Sequence, residues 1–321
     1  MALPDRVLIR EVGPREGFQT LSRIIPTERK IALINALSAT GVKAIEVASF
    51  VRPDRLPTMA DAEEVVAGFD RVDNVRYTAL YLNLHGFERG EALNDRLDNQ
   101  GWISFAVSER FLKRNNNTTV DALVETIPDW VAAFGNAGKS VHGLMVSTAF
   151  GTNYEGPIDS DRVLPVLARV IEKIDEAGDS VEEICLADTM GWATPDMLRR
   201  LIGAVRERFP GPEISLHLHD TRGLGVANVY AGLLEGVRII DASVGGLGGC
   251  PFAEGAAGNV CTEDVAFLCQ ELGIETGIDL PAYVEAARLA EDIVGFQLPG
   301  SFYRAVPQPS PRVTTPAQGD S

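Results

Sequence analysis

The chain has few cysteines, fewer basic than acidic residues, and no long apolar run. Its 321 residues contain four cysteines, Cys185, Cys250, Cys261 and Cys269, and no Cys-x-x-Cys pair. So few cysteines argue against a disulfide framework and indicate free thiols in a reducing cytosol. Because 45 acidic residues outnumber 29 lysines and arginines, giving a net charge of −16, non-specific nucleic-acid binding is excluded as a function class.

The sequence also lacks the marks of membrane insertion or export. No run approaches the about 18 apolar residues that a membrane span needs. The start, Met1–Arg6, has neither a signal-peptide core nor transit-peptide character. We therefore expect a soluble, acidic, cytoplasmic protein with no nucleic-acid and no membrane partner.

What the sequence contains is a regular alternation of β-rich runs and helix-like segments. The alternation implies parallel strands joined by right-handed crossovers, and eight units in about 250 residues predict a TIM barrel. An open doubly wound sheet is the alternative, but no Gly-x-Gly-x-x-Gly turn follows the first strand. The predicted strands are Val7–Val12, Ala44–Ala48, Val75–Leu80, Trp102–Val107, Val141–Ser147, Glu183–Ala187, Ile214–His219 and Ile239–Val244.

Helices are predicted between the strands and after the last of them. Thr27 is the expected N-cap of the first helix and Gly41 its stop. Residues 1–298 are expected to form the barrel domain with C-terminal helices, and the proline-rich residues 299–321 a mobile tail. The predicted helices are Thr27–Thr40, Ala60–Gly68, Val120–Ala137, Ser160–Ala177, Thr194–Phe209, Gly223–Glu235, Thr262–Leu272 and Tyr283–Val294.

The most informative residues are two of the four histidines. His217 and His219 are two apart in a predicted strand, so both rings point to the same face. Paired imidazoles suit a divalent metal. The alternative is one buried, hydrogen-bonded histidine and one exposed histidine.

Other polar residues recur where barrel strands end, which is where TIM barrels carry their chemistry. Glu16 and Asn259 would add oxygen ligands to the histidines, and this mixed set favours Mg²⁺ or Mn²⁺ over a thiolate zinc site. Arg15 could bind an oxyanion, and Cys250 could carry a proton. Cys250 could equally be a buried packing residue, and Glu46 could simply pair with a buried arginine.

Four motifs together resemble the 3-hydroxy-3-methylglutaryl-CoA lyase family, which belongs to a metal-dependent superfamily of lyases and Claisen-condensing enzymes. The resemblance covers about residues 5 to 295. The motifs are Val12-Gly13-Pro14-Arg15-Glu16-Gly17-Phe18-Gln19, Ile45-Glu46-Val47-Ala48-Ser49-Phe50-Val51, His217-Leu218-His219-Asp220-Thr221, and the loop from Gly248-Gly249-Cys250-Pro251 to Gly258-Asn259.

The resemblance implies a role for each matching residue. His217, His219 and Asn259 match metal ligands, and Glu16 stands where the family has an aspartate ligand. Arg15 matches the arginine that stabilises the enolate, Cys250 a loop cysteine that acts in proton transfer, and Glu46 a supporting acid. The catalytic candidates are thus Arg15, Cys250, His217 and Glu46. The candidate substrate-binding residues at strand ends are Gln19, Ser49, Ser147, Thr189 and Arg222.

The implied activity is carbon–carbon cleavage of a 3-hydroxyacyl-CoA to an acyl-CoA and a keto acid or ketone. The implied partner is an acyl-CoA substrate, and the resemblance is compatible with a homodimer. Three residues depart from the family pattern: Glu16, which is one methylene longer than aspartate and so displaces its carboxylate by about 1.5 Å, Arg222 in place of an aromatic residue, and Glu254 in place of glutamine.

These departures keep other functions open. One alternative is a lyase for a different substrate, such as citramalyl-CoA. Others are a condensing enzyme or aldolase on the same barrel, and a barrel that binds acyl-CoA without catalysis.

Overall fold

The fold is built on eight parallel strands, seen in a computed structural model that describes residues 3–115, 117–250 and 253–307. For residues 249, 250 and 253–257 only the backbone is described. All eight predicted strands are present, with ends that shift by up to two residues. They are β1 Leu8–Glu11, β2 Ala44–Ser49, β3 Arg76–Leu80, β4 Gly101–Ala106, β5 Val141–Ser147, β6 Glu183–Ala187, β7 Glu213–His217 and β8 Ile239–Ala242.

The strand order confirms the TIM-barrel prediction. The sheet runs β3-β2-β1-β8-β7-β6-β5-β4, and each paired neighbour is parallel. Strands β8 and β1, the last and the first, pair directly from Leu8 opposite Ile239 to Glu11 opposite Ala242. This pairing curls the sheet, so that its carboxyl edge collects residues from distant parts of the sequence.

The seam between β3 and β4 is closed mainly by side chains. No backbone ladder joins these two among the described strands, and one backbone hydrogen bond runs from the Asp98 amide, just before β4, to the Tyr77 carbonyl of β3 at 2.7 Å. The Tyr81 hydroxyl accepts from the Trp102 amide at 2.9 Å and donates to the Gln100 carbonyl at 2.7 Å. The Asn99 side chain accepts from the Ala79 amide at 2.9 Å. A cavity of about 90 Å³ lies inside the barrel along this seam.

The helices cover the outside of the barrel and largely follow the predicted pattern. Three short ones were not predicted, α3, α4 and α12, and the predicted helix 120–137 is divided in two, α5 and α6. The helices are α1 Thr27–Ser38, α2 Ala62–Gly68, α3 Leu84–Glu91, α4 Glu109–Asn115, α5 Val120–Val124, α6 Ile127–Asn136, α7 Ser160–Glu176, α8 Pro195–Arg208, α9 Gly225–Leu234, α10 Thr262–Glu271, α11 Leu280–Val294 and α12 Phe302–Ala305.

Thr27 does not cap α1 as predicted. It is the first residue of the helix, Pro26 occupies the cap position, and no side chain caps the end. The Thr27 hydroxyl donates instead to the Asp61 carboxylate at 2.7 Å, which ties α1 to the start of α2.

The folded unit extends beyond residue 298. Residues 299–307, which the sequence assigned to a mobile tail, include α12, and Tyr303 of this helix is buried. The amide of Phe302 donates to the Asp264 carboxylate of α10 at 2.6 Å. The prediction of a tail is therefore wrong for these nine residues, and residues 308–321 lie outside the described part of the chain.

Two apolar clusters fill the space between sheet and helices. One spans the β4–β8 side of the barrel and helices α4 to α9. The other packs β2 and β3 against α1, α2 and α11, so the C-terminal helix α11 belongs to the same core. Among the described residues, no helix is long and apolar enough to span a bilayer.

Candidate metal centre

The paired histidines meet at the carboxyl edge of the barrel, as their spacing predicts. His217 ends β7, and His219 forms an isolated antiparallel bridge with Asn259 two residues later. Their Nε2 atoms lie 3.3 Å apart, and both rings are buried. The Glu16 carboxylate completes the group, with Oε1 3.1 Å from His219 Nε2 and Oε2 3.5 Å from His217 Nε2.

A tight turn places Glu16 and its neighbour Arg15 in this group. Residues Gly13–Gly17 form a single π-helical turn directly after β1. A Cβ atom on Gly17 would come within 2.4 Å of the Leu247 side chain, so only glycine allows this turn to lie against the loop after β8.

The buried carboxylate of Glu11 fixes the base of that turn. It accepts hydrogen bonds from the Gly13 amide at 2.6 Å, the Val244 amide at 3.0 Å and the Thr262 hydroxyl at 2.7 Å, and the Tyr283 hydroxyl also donates to it. This carboxylate therefore joins β1, the loop after β8, and helices α10 and α11 beneath the metal centre.

The charges in the cluster depend strongly on one another. Burial alone would raise the pKa of Glu16, but the nearby charges of His217 and Arg15 outweigh it and hold the pKa well below its usual range. Burial disfavours the imidazolium form of His217, yet the carboxylates of Glu16 and Asp241 raise the pKa of this ring to about 10. The cluster thus attracts a positive charge to the point where the three side chains converge.

Asn259 supplies an oxygen to the same region. It faces His219 across the antiparallel bridge as a non-hydrogen-bonded pair, because the Asp220 amide donates to Gly258 and the Val260 amide to Leu218. Side chains of such a pair lie close together on one face. The Asn259 side chain is buried, and neither its oxygen nor its nitrogen has a hydrogen-bond partner within the described residues.

These residues fit a divalent cation. Glu16, His217 and His219 are the one group of three His, Cys, Asp or Glu side chains in the described residues that could hold a metal ion. The buried amide oxygen of Asn259 has no hydrogen-bond partner among the described residues, which fits an atom that binds a metal ion. Two imidazoles with a carboxylate and an amide oxygen suit Mg²⁺, Mn²⁺ or a similar ion.

Arg15 and Glu46 border the cluster. The Arg15 guanidinium is buried, with Nη1 2.9 Å from Glu16 Oε2 and Nε donating to the Glu46 carboxylate. Burial raises the pKa of Glu46, and the charge of Arg15 offsets this only in part. A register irregularity in β2 just after Glu46 marks the point where this strand departs from regular pairing with β3.

Two predicted substrate contacts carry buried polar atoms without partners. The side-chain oxygen of Gln19 and the hydroxyl of Ser49 are both buried, and neither has a hydrogen-bond partner within the described part of the chain. Ser49 ends β2, and Gln19 follows the turn that carries Arg15. Both positions are therefore at the same edge of the barrel as the cluster.

Ser147 and Thr189 are connected through a strained residue between β5 and β6. Thr148 has a positive φ of 58°, which is uncommon for a β-branched residue. Its amide donates to the Thr189 hydroxyl at 2.8 Å, and its own hydroxyl donates to the Ser147 carbonyl at 2.6 Å. Backbone strain of this kind is frequent at active sites and ligand-binding sites.

Arg222 contacts a loop rather than the cluster. Its Nη1 donates to the carbonyls of Met190 and Gly191 at 2.8 Å each, and its guanidinium lies 4.4 Å from the centre of the Trp192 ring. These contacts hold the loop that follows β6. The predicted contact between Arg222 and the substrate stays a prediction.

Cys250 lies in the segment that follows β8. Its backbone belongs to a short hairpin of Gly249–Cys250 with Ala253–Ala257, which follows β8. The side chains of Cys250 and Glu254 lie outside the described residues, so the roles predicted for them stay predictions.

Two acids near the centre were given no role from the sequence. Asp241 of β8 lies 3.2 Å from His217 Nδ1, on the opposite side of the ring from Glu16. Asp188, after β6, accepts from the amides of Trp192 and Ala193 at 2.6 and 3.0 Å and so shapes the loop that Arg222 holds. The signal for Asp241 was present, because an aspartate within the apolar run Ile239–Ala242 needs a buried partner.

Fold and site together define a class: a TIM barrel with a mixed nitrogen and oxygen cluster that could hold a divalent metal. The profile of the HMGL-like family matches residues 6–290. The chain is 40% identical to the mitochondrial hydroxymethylglutaryl-CoA lyase of Gallus gallus over 279 residues, 87% of this chain and 90% of that one.

Solved structures agree with the sequence relatives. An HMG-CoA lyase of Bacillus subtilis superposes with a TM-score of 0.86 at 36% identity, covering 95% of this chain and 99% of that one. An Acinetobacter baumannii HMG-CoA lyase, in complex with coenzyme A and 3-methylmalate, gives a TM-score of 0.84 at 36% identity and covers 96% and 100%. The chain therefore belongs to the HMGL-like family, as the sequence motifs predicted, and it is a carbon–carbon lyase.

Proposed function

We propose that this chain cleaves 3-hydroxy-3-methylglutaryl-CoA, or a close 3-hydroxyacyl-CoA analogue, to acetyl-CoA and a 3-oxo acid. The observation that carries the proposal is the cluster of Glu16, His217 and His219 with the Arg15 guanidinium beside it, at the carboxyl edge of the barrel. The relatives named for the same reaction span most of both chains, which supports this substrate over citramalyl-CoA.

In the proposed reaction a base takes the proton of the C3 hydroxyl and that oxygen becomes the carbonyl of the 3-oxo acid. The C2–C3 bond breaks with its electron pair moving to C2 as the thioester enolate, and C2 then regains a proton. A divalent cation held by Glu16, His217, His219 and Asn259 would supply a positive centre that polarises the substrate oxygens. Mg²⁺ and Mn²⁺ are the ions proposed.

Arg15 would stabilise the negative charge that collects on the thioester oxygen as the bond breaks. Glu46 fixes the orientation of Arg15 by accepting from its Nε, and Glu16 lies beside Nη1, so Nη2 is the nitrogen proposed to face the substrate. Cys250, on the loop after β8, is proposed to deliver the final proton to C2.

Gln19, Ser49, Ser147 and Thr189 are proposed to position the substrate. The buried oxygen atoms of Gln19 and Ser49 without partners support this, since a bound substrate would satisfy them. Arg222 would act through the loop of residues 190–192 that it holds.

The remaining proposals concern location and assembly. We propose a cytoplasmic enzyme, because the described cysteines Cys185, Cys261 and Cys269 are free thiols, although the relative from Gallus gallus is named as mitochondrial. We also propose that it forms a homodimer.

The proposal is tested by measuring acetyl-CoA release from hydroxymethylglutaryl-CoA and citramalyl-CoA with Mg²⁺ or Mn²⁺, before and after chelation. We expect turnover of the first substrate that chelator abolishes and added metal restores. His217→Ala and His219→Ala should be inactive, while His85→Ala, at an exposed histidine on α3, should retain activity. Metal-independent turnover, or no turnover of either thioester, would disprove the assignment.

A further inference from the structure

The wall of the barrel beneath the metal centre contains a second charged group, which the proposed reaction does not use. Arg10 of β1 points into the barrel and contacts three polar side chains at once. Its Nε lies 2.6 Å from Asp241 Oδ1, its Nη1 2.8 Å from Glu183 Oε1 and its Nη2 3.2 Å from the Ser215 hydroxyl. The Trp102 ring packs against the guanidinium, with its centre 5.2 Å away.

This group reaches the metal centre through a single carboxylate. Asp241 presents Oδ1 to Arg10 and Oδ2 to His217 Nδ1, which lies 3.2 Å away. All three side chains are largely buried, so solvent does little to replace either contact. The two oxygens of Asp241 therefore link Arg10 to one specific nitrogen of one specific histidine.

We propose that Asp241, anchored by Arg10, is a positioning residue that fixes the tautomer and the ring orientation of His217 for metal binding. The inference rests on the proposed metal site. A carboxylate that is paired with a buried guanidinium is ionised and can only accept. His217 must then donate from Nδ1, which leaves Nε2, the nitrogen that faces Glu16 and His219, to bind the metal.

The second histidine provides an internal contrast. His219 Nδ1 is buried and has no hydrogen-bond partner within the described part of the chain. The protein thus orients one of the two imidazoles through an anchored carboxylate and leaves the other to be oriented by packing. On this reasoning His217 is the ligand with the fixed geometry, and perturbation of Asp241 should act through His217 alone.

Metal affinity is the first test, measured by calorimetric titration of the metal-free protein with Mn²⁺. Asp241→Asn keeps the shape but allows an amide N–H to face His217, and we expect binding about 10- to 100-fold weaker. Arg10→Gln leaves Asp241 in place without its anchor, and we expect a smaller loss of up to about tenfold. Glu183→Gln is the matched control, because it removes the other carboxylate of Arg10 and leaves the contact between Asp241 and His217 intact.

The second test reads the tautomer directly. The chain has four histidines, so the ¹⁵N imidazole spectrum of the Mg²⁺-loaded protein can be assigned with single His→Gln variants. We expect a proton on Nδ1 of His217 in the wild type and a loss of this fixed state in Asp241→Asn, with the His219 signals unchanged.

The outcomes separate the inference from the function on which it rests. If the wild type binds no Mn²⁺, the proposed metal site fails. If the wild type binds Mn²⁺ but Asp241→Asn binds it equally well, Asp241 is only an ion-pair partner and the inference is overturned. A lower thermal midpoint of the metal-free variant with an unchanged Kd, or a His217 proton on Nε2, would overturn it as well.

Discussion

Replacing Arg15 by methionine should lower turnover far more than it lowers metal binding. Arg15 is 6% exposed and its guanidinium lies against the carboxylates of Glu16 and Glu46, so its replacement removes one positive charge from a buried cluster. A unit charge about 4 Å from the developing enolate, at an effective dielectric of about 20, is worth about 4 kcal/mol. Removal of one oxyanion donor typically costs 10²–10³-fold in kcat, about 2.7–4 kcal/mol.

The assay must separate this loss from a loss of stability. Methionine leaves two buried carboxylates without their partner, which costs about 3 kcal/mol in the free energy of unfolding. We therefore expect Arg15→Met to be less stable in urea, to retain Mn²⁺, and to show kcat at least about 10²-fold below that of the wild type when fully loaded.

A matched arginine provides the control. Arg96 donates to the carbonyls of Val66 and Phe69 and packs on the Phe69 ring, at the opposite end of the barrel from the cluster. Arg96→Met should lower stability and leave kcat unchanged. A metal-loaded Arg15→Met enzyme with wild-type kcat would refute the oxyanion role and reduce Arg15 to a support for Glu16.

Three further results are expected. Cys250→Ser should keep the thermal midpoint and lose about 10²-fold in kcat, as expected of a proton-transfer group, whereas a loss of stability with unchanged kcat would indicate a packing role. Burial raises the pKa of Glu263 to about 8. The unfolding free energy should therefore fall from about pH 4.5 to about pH 8, because the unfolded carboxyl ionises first. Urea unfolding at several pH values should show this slope in the wild type and a flatter one in Glu263→Gln. Arg222→Leu should loosen the loop after β6 and leave the kcat/KM ratio of hydroxymethylglutaryl-CoA to citramalyl-CoA nearly unchanged, and a shift above tenfold would show direct substrate contact instead.

The barrel could be predicted from the sequence because its strands are apolar and its long helices have regularly spaced apolar residues. The helices that escaped prediction lack those signals. Helix α3 contains Gly86 and Gly90, and α4 is short and mostly polar. The break between α5 and α6 follows from Pro128, which fits only the first turn of a helix and so makes Ile127 a new start.

The metal cluster could be predicted in part, for a geometric reason. The spacing of His217 and His219 places both rings on one face of their strand. Because the strand ends of a barrel converge, Glu16, which follows the first strand, comes close to these histidines. The partner of His217 could not be identified, because the register between β7 and β8 that sets Asp241 opposite His217 is a property of the closed barrel. The contacts of Arg222 likewise depend on the shape of the loop after β6.

The side-chain closure between β3 and β4 has a consequence for how such barrels diversify. Where backbone ladders join two strands, the spacing is the same for every sequence. Between β3 and β4, hydrogen bonds of the Tyr81 and Asn99 side chains take the place of backbone hydrogen bonds. A substitution at either residue can therefore widen or narrow this wall without disturbing the other seven strand pairs. The cavity along the seam includes Arg15 and Glu46 in its lining. A substitution along this seam would therefore change the space beside Arg15 and Glu46.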